Sequence, residues 1–361
     1  MVNRRRFLKQ TSAAVIGMVA GGPRLHSDHR DRIGEGGVAK SMITPAAQQA
    51  IDQGLGYLAA HQHRDGSFGT IQYHGNVAIT SLAALALMAG GHQPARGIYS
   101  DVVNRALRYV LDQDDGRGYL LSKTGASHGP MYGHGFGTLF LAEVHGMVSD
   151  KELRTRLRDT LKRAVKLIVD NQNNEGGWRY HPGSRDADVS VTICQIMALR
   201  AARNAGLFVP KRTVDHCTEY VKRCQERDGG FRYQANMGTS QFARSAAGIV
   251  ALHCAGVYKG SEIESGLKYL MRFKPNSDFS RSDVHLHYYY GQYYAAQAMW
   301  TAGDPYWPEW YPAIRDELIN HPDRQRHNGC WVDHRFSNDY GTAMACIILQ
   351  IPNNYLPILQ K

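Results

Sequence analysis

Two kinds of predicted helix alternate along the chain, and they differ in where their hydrophobic residues fall. One kind is amphipathic, with an apolar stripe at the helical period and a charged opposite face. These segments span residues 45–61, 101–112, 153–171, 212–223, 262–273 and 309–320. The other kind, such as VSVTICQIMALRAA, is apolar around most of its circumference and rich in small residues. The pattern therefore predicts outer helices of the first kind and buried inner helices of the second.

A glycine turn joins each outer helix to the inner helix that follows it. The unit is most complete over residues 161–210, where the aromatic residue Trp178 lies six positions after Gln172. Four further copies keep this spacing and a degenerate one keeps only the aromatic residues: Gln62…Phe68, Gln113…Tyr119, Gln225…Phe231, Gln325…Trp331 and Phe273…Phe279. The glycines assigned to the turns are Gly66, Gly116, Gly176, Gly229 and Gly329. A motif that recurs roughly every 50 residues indicates a repeat fold.

Six hairpins of this kind predict an all-α fold, an (α/α)6 toroid formed by residues 44–361. A row of hairpins whose inner layer is apolar on both faces has to curl until that layer is covered. Because each inner helix begins just after its glycine turn, the polar links between paired helices converge on one rim of the ring. That rim is the expected place for a binding site.

The first 22 residues resemble an export leader rather than a part of the toroid. Arg4, Arg5, Phe7, Leu8 and Lys9 stand in the twin-arginine order, before an apolar run too short to span a membrane. Residues 1–22 are therefore interpreted as a twin-arginine signal peptide and residues 23–43 as a linker. The expected location is the periplasm or the cell envelope.

The distribution of charge and the spacing of cysteines limit the kinds of partner and cofactor that the chain is expected to bind. About half of the formal charge of +10 lies within residues 1–40, and the remaining basic residues are spread over outer helices. This distribution does not indicate nucleic-acid binding. No CxxC pair or HExxH string offers a metal site, and no cofactor is expected. A small-molecule substrate is the expected partner, contact with a membrane surface is left open, and the oligomeric state is not predicted.

With these motifs in view, the chain resembles the squalene–hopene cyclase and protein prenyltransferase superfamily, whose α/α toroids carry a repeated glutamine–glycine–aromatic motif. The matching strings are QHRDGSF, QDDGRGY, QNNEGGW, QERDGGF and QRHNGCW. The resemblance covers residues 45–361 and implies that the motif residues staple neighbouring helices together. It also implies a central cavity for a polyprenyl chain and makes an isomerase, a terpene cyclase or mutase, the favoured class of enzyme.

The candidate acid lies in SRDADVSVT, at the start of the inner helix after Trp178. Cyclases of the resembled group use a DxDD motif, and Asp186 and Asp188 match its first and third positions whereas Val189 replaces the fourth. Crowded carboxyl groups raise one pKa, so that one proton is kept at neutral pH. Asp188, aided by Asp186, is therefore the predicted proton donor. The alternative is that Asp188 only caps the helix.

Other rim residues complete the predicted site. His287 is the third predicted catalytic residue, and in the glycan alternative a Tyr or His would act as base. The predicted substrate-binding residues are Tyr132, His134, Arg244, Tyr289, Tyr293 and Tyr340. On the fifth inner helix Tyr289 and Tyr293 share one face, Tyr290 and Tyr294 share another, and one of these faces should line the cavity. Tyr289 and Tyr293 are the ones assigned to it. Such rings stabilise carbocations and also stack on sugars.

Three functions remain open at this stage. The first is an exported, proton-initiated cyclase or isomerase of a polyprenyl substrate, which predicts a deep apolar and aromatic cavity with a buried carboxyl pair. The second is a polysaccharide-active or glycan-binding barrel, which predicts a wet cleft with either carboxylates or a set of Tyr, His and Arg side chains exposed to it; Arg244 would then bind a carboxylate of an acidic glycan. The third is a non-catalytic scaffold of the cell envelope, which predicts a plugged centre.

Overall fold

A computed structural model describes residues 41–275, 287–320 and 328–360. Those residues form twelve α-helices and contain no β-strand beyond isolated bridges. In chain order the helices are α1 Pro45–His61, α2 Val77–Ala89, α3 Ser100–Asp112, α4 Pro130–Val144, α5 Lys151–Asp170, α6 Val189–Asn204, α7 Lys211–Arg223, α8 Phe242–Cys254, α9 Ser261–Met271, α10 Tyr288–Ala302, α11 Tyr306–Ile319 and α12 Asn338–Gln350. The predicted all-α class and the six helical hairpins are confirmed.

The even-numbered helices form a closed inner ring, and the odd-numbered helices surround it. Each inner helix packs against the next, from α2 through α4, α6, α8 and α10 to α12, and α12 packs back against α2. Helix α2 buries every residue except Ala78, as expected for a segment that is apolar on all sides. Small residues permit this close packing: a Cβ on Gly248 would lie 2.5 Å from the ring of Phe231.

Hydrogen bonds hold the seam between the first and sixth hairpins together. The amide nitrogen of Gly69 donates to Oδ2 of Asp339 over 2.8 Å. At the opposite end of the same helices, Nε2 of Gln350 donates to the carbonyl of Ala86 over 3.0 Å. Asn353 adds a longer bond to the carbonyl of Ala89. The ring is therefore sealed at both ends, and the terminal repeats cover each other's apolar surface.

The motif glutamines tie consecutive outer helices together, as the resemblance implied. Nε2 of Gln172 donates over 2.8 Å to the carbonyl of Gly176, in its own turn, and over 2.8 Å to that of Thr213, near the start of α7. Gln62 and Gln225 make the equivalent pairs of bonds. One side chain thus holds both the turn and the neighbouring hairpin, and it uses carbonyls that a helix end or turn leaves available.

A second bond recurs on the inner side of four of the described turns. The backbone N–H of the buried motif aromatic donates to a hydroxyl on the following inner helix. The pairs are Phe68 with Thr80, Trp178 with Thr192, Phe231 with Ser245 and Trp331 with Thr342, at 2.8–3.1 Å. This bond satisfies an amide that the ring beside it shields from water.

The second hairpin corrects the predicted register by one residue. Leu120, not Tyr119, is fully buried at the aromatic position, and it bridges to Asp114 as Phe231 bridges to Gln225. The glycine that meets the next outer helix is Gly118: its Cβ would lie 2.5 Å from Arg163, whereas a Cβ on Gly116 would meet nothing within 4 Å. The motif of this repeat is therefore Asp114-x3-Gly118-x-Leu120. The aspartate serves where the first, third and fourth repeats use glutamine.

Several predictions lie outside the described residues. They are the signal peptide 1–22, nearly all of the linker 23–43, Phe279 and Gln325. The first described hairpin begins with Thr44, whose hydroxyl caps α1 by accepting the N–H of Ala47 over 3.2 Å. None of the described helices has the length and apolar character needed to cross a membrane.

Candidate functional site

A cavity of about 440 Å³ opens at the rim where the inner helices begin. Ten of its 23 described wall residues are aromatic, namely six tyrosines, two phenylalanines and two histidines. These are Tyr73, Tyr132, Tyr180, Tyr233, Tyr290, Tyr340, Phe136, Phe336, His128 and His287. Among the described wall residues Arg244 is the one with a permanent charge, and no aspartate or glutamate is among them. The cavity size falls within the range of small-molecule sites.

The rings of this wall contact one another and form a continuous belt. His128 lies 6.3 Å from Tyr132, 6.2 Å from Tyr180 and 5.9 Å from Phe336, measured between ring centroids. Phe336 in turn lies 5.1 Å from Tyr340. These side chains come from three different hairpins, the second, third and sixth, because the starts of inner helices and the links before them meet at the rim. The belt presents π faces to whatever occupies the cavity.

Asp188 lies one layer behind this wall and has no exposed surface. It is the N-cap of α6, and its Oδ1 accepts the N–H of Val191 over 2.9 Å. Its Oδ2 is 3.5 Å from the hydroxyl of Tyr233 and 3.8 Å from Nη1 of Arg179. The capping role that the sequence left open is therefore observed, within a buried polar cluster that reaches the cavity through Tyr233.

Burial raises the pKa of Asp188 to about 6, whereas the N–H of Val191 and the charge of Arg179 act against that increase. The charge of Asp186 makes only a minor contribution. Asp186 is exposed, with Oδ2 3.4 Å from Arg179 and 3.1 Å from Nε2 of Gln234. The predicted crowded carboxyl pair is thus corrected: desolvation, not a second buried carboxylate, makes Asp188 a weaker acid.

Four of the other predicted residues line the cavity, namely His287, Tyr132, Arg244 and Tyr340. His287 adopts a left-handed backbone conformation at the start of α10. Burial, helped by the charge of Arg335, lowers the pKa of His287 to about 4, so its imidazole is neutral at pH 7. Arg244 bonds to the side-chain oxygen of Gln241, and burial lowers its pKa. The site therefore offers one guanidinium and neutral imidazoles to a ligand.

His134 is a structural residue away from the cavity wall, which corrects its predicted role. It is fully buried, and its Nδ1 accepts the N–H of Leu120 over 3.3 Å while Nε2 lies 3.2 Å from the carbonyl of Ala164. It thus takes the place of the hydroxyl that Thr192 supplies in the third repeat. Burial lowers the pKa of His134 to about 4, which keeps the ring neutral and able to accept this bond.

The tyrosine face predicted for the cavity on α10 is also corrected. Tyr289 and Tyr293 are buried behind the wall, where their hydroxyls donate to the carbonyl of Val332 and to the sulfur of Met197. Tyr290 lines the cavity instead, and its hydroxyl donates to the carbonyl of Ser190 over 3.0 Å. The helix is rotated so that the other candidate face points inward.

The sequence reasoning missed Tyr180 and Tyr233, which form the polar part of the wall. Their hydroxyl oxygens are 2.5 Å apart. Each stands two residues after its motif aromatic, Trp178 or Phe231. That offset, counted from the repeat, is the signal that could have identified them. Elsewhere, within the described ranges, no three His, Cys, Asp or Glu side chains are grouped so that they could hold a metal ion.

Comparison with curated proteins gives relatives that match part of the chain. A drimenyl diphosphate synthase from Streptomyces showdoensis is 30% identical over 190 residues, which are 51% of this chain and 32% of that protein. A second one, from Streptantibioticus cattleyicolor, is 27% identical over a segment of the same length. The match therefore spans about a third of the length of these relatives.

Solved structures share the fold at low sequence identity. A type II terpene cyclase from Scytonema, in complex with geranylgeranyl dihydroxybenzoate, has a TM-score of 0.57 at 12% identity and covers 86% of this chain and 98% of its own. A cellobiose 2-epimerase from Spirochaeta thermophila has a TM-score of 0.60 at 14% identity, over 90% of this chain and 98% of its own. An α-1,6-mannanase from Salegentibacter has a TM-score of 0.56 at 8% identity, over 89% and 99%.

The family model described as the prenyltransferase alpha-alpha toroid domain matches residues 37–136 and 137–279, which together are more than half of the chain. The closed ring of six hairpins and the repeated turn motif agree with that match. The chain belongs to the prenyltransferase α/α toroid family.

Proposed function

We propose that this toroid is a proton-initiated cyclase or isomerase of a polyprenyl substrate. The observation that carries the proposal is the aromatic cavity with one buried, protonatable carboxyl group directly behind its wall. The polyprenyl substrate and the cyclisation or isomerisation are both parts of the proposal. Drimenyl diphosphate synthases match half of the chain in sequence, and a type II terpene cyclase shares its fold.

The wall suits a reaction that passes through a carbocation. Aromatic rings attract a cation through their π faces, and a dry pocket strengthens that attraction and keeps water from trapping the cation. His128 and His287 are both kept neutral by burial, so they add no repelling charge. His287 is then available to accept the proton that the final cation loses. We propose it as the base of the reaction.

Asp188 supplies the proton that starts the reaction. With a pKa of about 6, roughly one molecule in ten carries the carboxyl proton at pH 7. Asp186 lies on the exposed side of Arg179 and connects this cluster to solvent. Its role in the proposal is to help return a proton to Asp188 after each turnover.

Arg244 suggests the character of the head group. Among the described wall residues, Arg244 is the one with a permanent charge. None of those residues is an aspartate or glutamate that could pair with it. A prenyl chain with an anionic head, such as a diphosphate or a carboxylate, would place its tail among the rings and its head beside Arg244. Tyr132 and Tyr340 would contact the tail.

The hydrolytic form of the glycan alternative has less support from this geometry, whereas its other form, a Tyr, His and Arg set exposed to the cavity, shares Arg244 and His287 with this wall. Glycosidases of the usual kind need two carboxyl groups about 5–9.5 Å apart across the scissile bond. The described cavity wall holds no carboxyl group, Asp188 is fully buried and Asp186 is not on the wall. The open cavity also argues against a scaffold with a plugged centre. Export through a twin-arginine leader, membrane contact and the oligomeric state stay predictions.

The test is turnover in deuterated water. The purified protein is incubated with prenyl diphosphates, prenyl alcohols and prenylated hydroxybenzoates of 15 and 20 prenyl carbons, and products are analysed by mass spectrometry. A cyclase yields an isomer of the substrate that carries one solvent deuterium. Asp188→Asn should lower the rate at least about 100-fold, whereas Asp186→Asn should lower it less because that carboxyl group is not the donor.

Two results would contradict the proposal. One is full activity of Asp188→Asn, which would remove the acid. The other is a wild-type protein that converts no prenyl substrate but cleaves or epimerises oligosaccharides, which would move the assignment to the glycan alternative.

A further inference from the structure

The carboxyl group of Asp188 does not reach the cavity by itself. It has no exposed surface and is not among the described residues of the wall. Its Oδ1 is occupied by the N–H of Val191, and its Oδ2 faces the hydroxyl of Tyr233 and the guanidinium of Arg179. A proton that leaves this carboxyl group toward the cavity therefore meets Tyr233 first.

Tyr233 joins the buried carboxyl group to the cavity. Its hydroxyl oxygen lies 3.5 Å from Oδ2 of Asp188 and 2.5 Å from the hydroxyl oxygen of Tyr180. Both tyrosines are part of the cavity wall. The Tyr233 backbone is held in place, because its carbonyl accepts the N–H of Val189 over 3.0 Å. The next residue, Gln234, donates to the carbonyl of Ala187 over 3.1 Å.

We infer that Tyr233 is a catalytic residue of this toroid, which passes the proton of Asp188 to the substrate while Tyr180 orients its hydroxyl. The inference rests on the proposed function. It revises the role of Asp188 in the proposed reaction: Asp188 supplies the proton, but Tyr233 transfers it to the substrate. Tyr180 is a positioning residue.

The transfer balances without a further reagent. The O–H bond of Tyr233 breaks as the π electrons of a substrate alkene form a new C–H bond, and the O–H bond of the Asp188 carboxyl group breaks as its proton bonds to the Tyr233 oxygen. Tyr233 is unchanged, Asp188 becomes a carboxylate and the substrate becomes a carbocation. Loss of a proton from that cation to a base restores an alkene, and a solvent proton restores Asp188.

The surrounding charges favour this direction of transfer. The guanidinium of Arg179 lies 4.9 Å from the ring centroid of Tyr180 and 5.2 Å from that of Tyr233, and its Nη1 is 3.8 Å from the Asp188 carboxyl group. It stabilises the carboxylate that remains after the proton has left. The other titratable groups that influence Asp188 or are influenced by it include Asp186, Tyr132, Tyr290, Cys194 and Arg244.

Tyr233→Phe tests the inference, because it removes only the hydroxyl and keeps the ring against Arg179. We expect kcat to fall about 100-fold, with the dissociation constant for an unreactive saturated analogue changed less than about twofold. Tyr180→Phe should lower kcat by about tenfold, since it removes orientation and not the proton path. Thermal unfolding followed by circular dichroism checks that each variant folds.

A second readout needs no substrate. In infrared spectra taken across a pH titration, the Asp188 carboxyl band is identified by its loss in Asp188→Asn. That band should move to higher frequency in Tyr233→Phe, because the carboxyl group loses a hydrogen-bond partner. It should stay in place in Tyr132→Phe, the matched control, since Tyr132 lies on the same wall and makes no described hydrogen bond to Asp188.

The outcomes separate the two proposals. An active wild type and an inactive Asp188→Asn, together with a fully active Tyr233→Phe or an unmoved band in that variant, would overturn the relay and leave the proposed function standing. A wild type that converts no prenyl substrate would overturn both. Loss of turnover in Tyr233→Phe with retained analogue binding and a shifted band supports the relay.

Discussion

At the scale of single residues, Asp188 and Asn76 show how the same local role acquires different chemistry. Each is the N-cap of an inner helix and accepts the N–H three residues later, over 2.9 Å and 3.1 Å. Each also precedes by four residues the hydroxyl that binds the motif aromatic. Only the aspartate carries an ionisable group into the buried position, and burial raises its pKa to about 6.

Asp188→Asn should therefore stabilise the protein while it removes the acid. Asparagine caps a helix as well as aspartate does. Folding raises the pKa of Asp188 from 3.8 to about 6. The wild type therefore keeps its full free energy of unfolding only below pH 3.8, and it loses part of that free energy as the pH rises to about 6. We expect the variant to gain on the order of 3 kcal/mol in free energy of unfolding at pH 7.

Urea unfolding between pH 4 and pH 7 measures this gain. The difference in free energy of unfolding between variant and wild type should increase from pH 4 to about pH 6 and then stay constant. Asn76→Asp is the reverse exchange and should lose stability at pH 7. A difference for Asp188→Asn that is the same at every pH would contradict the burial of an ionisable group at this position.

At the scale of elements, the turn motif is a set of hydrogen bonds that different residues can supply. In the second repeat Asp114 accepts the N–H of Gly118 over 2.8 Å and binds Thr160 and Arg163 on the next outer helix. Burial alone would raise the pKa of Asp114, but the bonds from Arg163 and from the turn amides outweigh it and lower the pKa. The aspartate thus staples two hairpins as glutamine does elsewhere.

Asp114→Ala should cost more stability than Asp115→Ala. The first change leaves a buried turn and an arginine without their acceptor, which costs about 2–3 kcal/mol. Asp115 is its exposed neighbour and bonds within its own turn, so its loss should cost about 1 kcal/mol. Urea unfolding midpoints at pH 7 compare the two. Equal losses of stability would contradict the assignment of Asp114 as the motif residue. They would favour the register predicted from the sequence, in which Gln113 is the motif residue.

The inner helices illustrate what a periodic pattern can predict. Their burial on all sides follows from their composition. The six even-numbered helices, α2 through α12, lie where the sequence predicted the apolar segments. Their rotation about the helix axis does not follow, because a helix that is apolar all round has no polar face to orient it. This is why Tyr290, and not Tyr289 or Tyr293, was found on the wall only in the structure.

At the scale of the whole molecule, the ring has no free ends within the described hairpins. Asp339 and Gln350 of the sixth hairpin bond to Gly69 and Ala86 of the first. In an open row of repeats, the terminal units contact one neighbour and open first. A closed ring gives each hairpin two neighbours, so its ends should be as protected as its middle.

Native-state hydrogen exchange tests this property. Amides of α2 and α12 should exchange with the same free energy of opening as those of α6, within about 1 kcal/mol. Gln350→Leu removes one seam bond and should lower the protection of α2 and α12 before that of α6. Separate opening of the first and last hairpins in the wild type would contradict a closed cooperative ring.

The sequence by itself determined the class of fold, the order of outer and inner helices and the rim where a site should lie. These features depend on short-range patterns: helical periodicity, turn glycines and the recurring spacing of Gln172 and Trp178. Four cavity residues, among them Arg244 and His287, were found because they stand at the starts of inner helices, which must meet at one rim.

Only the tertiary structure decided which of those rim residues face the cavity and what their chemistry is. The role of His134 depends on Leu120 and Ala164, which the ring brings to its two nitrogens. The raised pKa of Asp188 depends on desolvation by residues from other hairpins, and its path to the cavity runs through Tyr233, 45 positions later. Helix rotation and burial are set by packing between distant segments, so no local pattern encodes them.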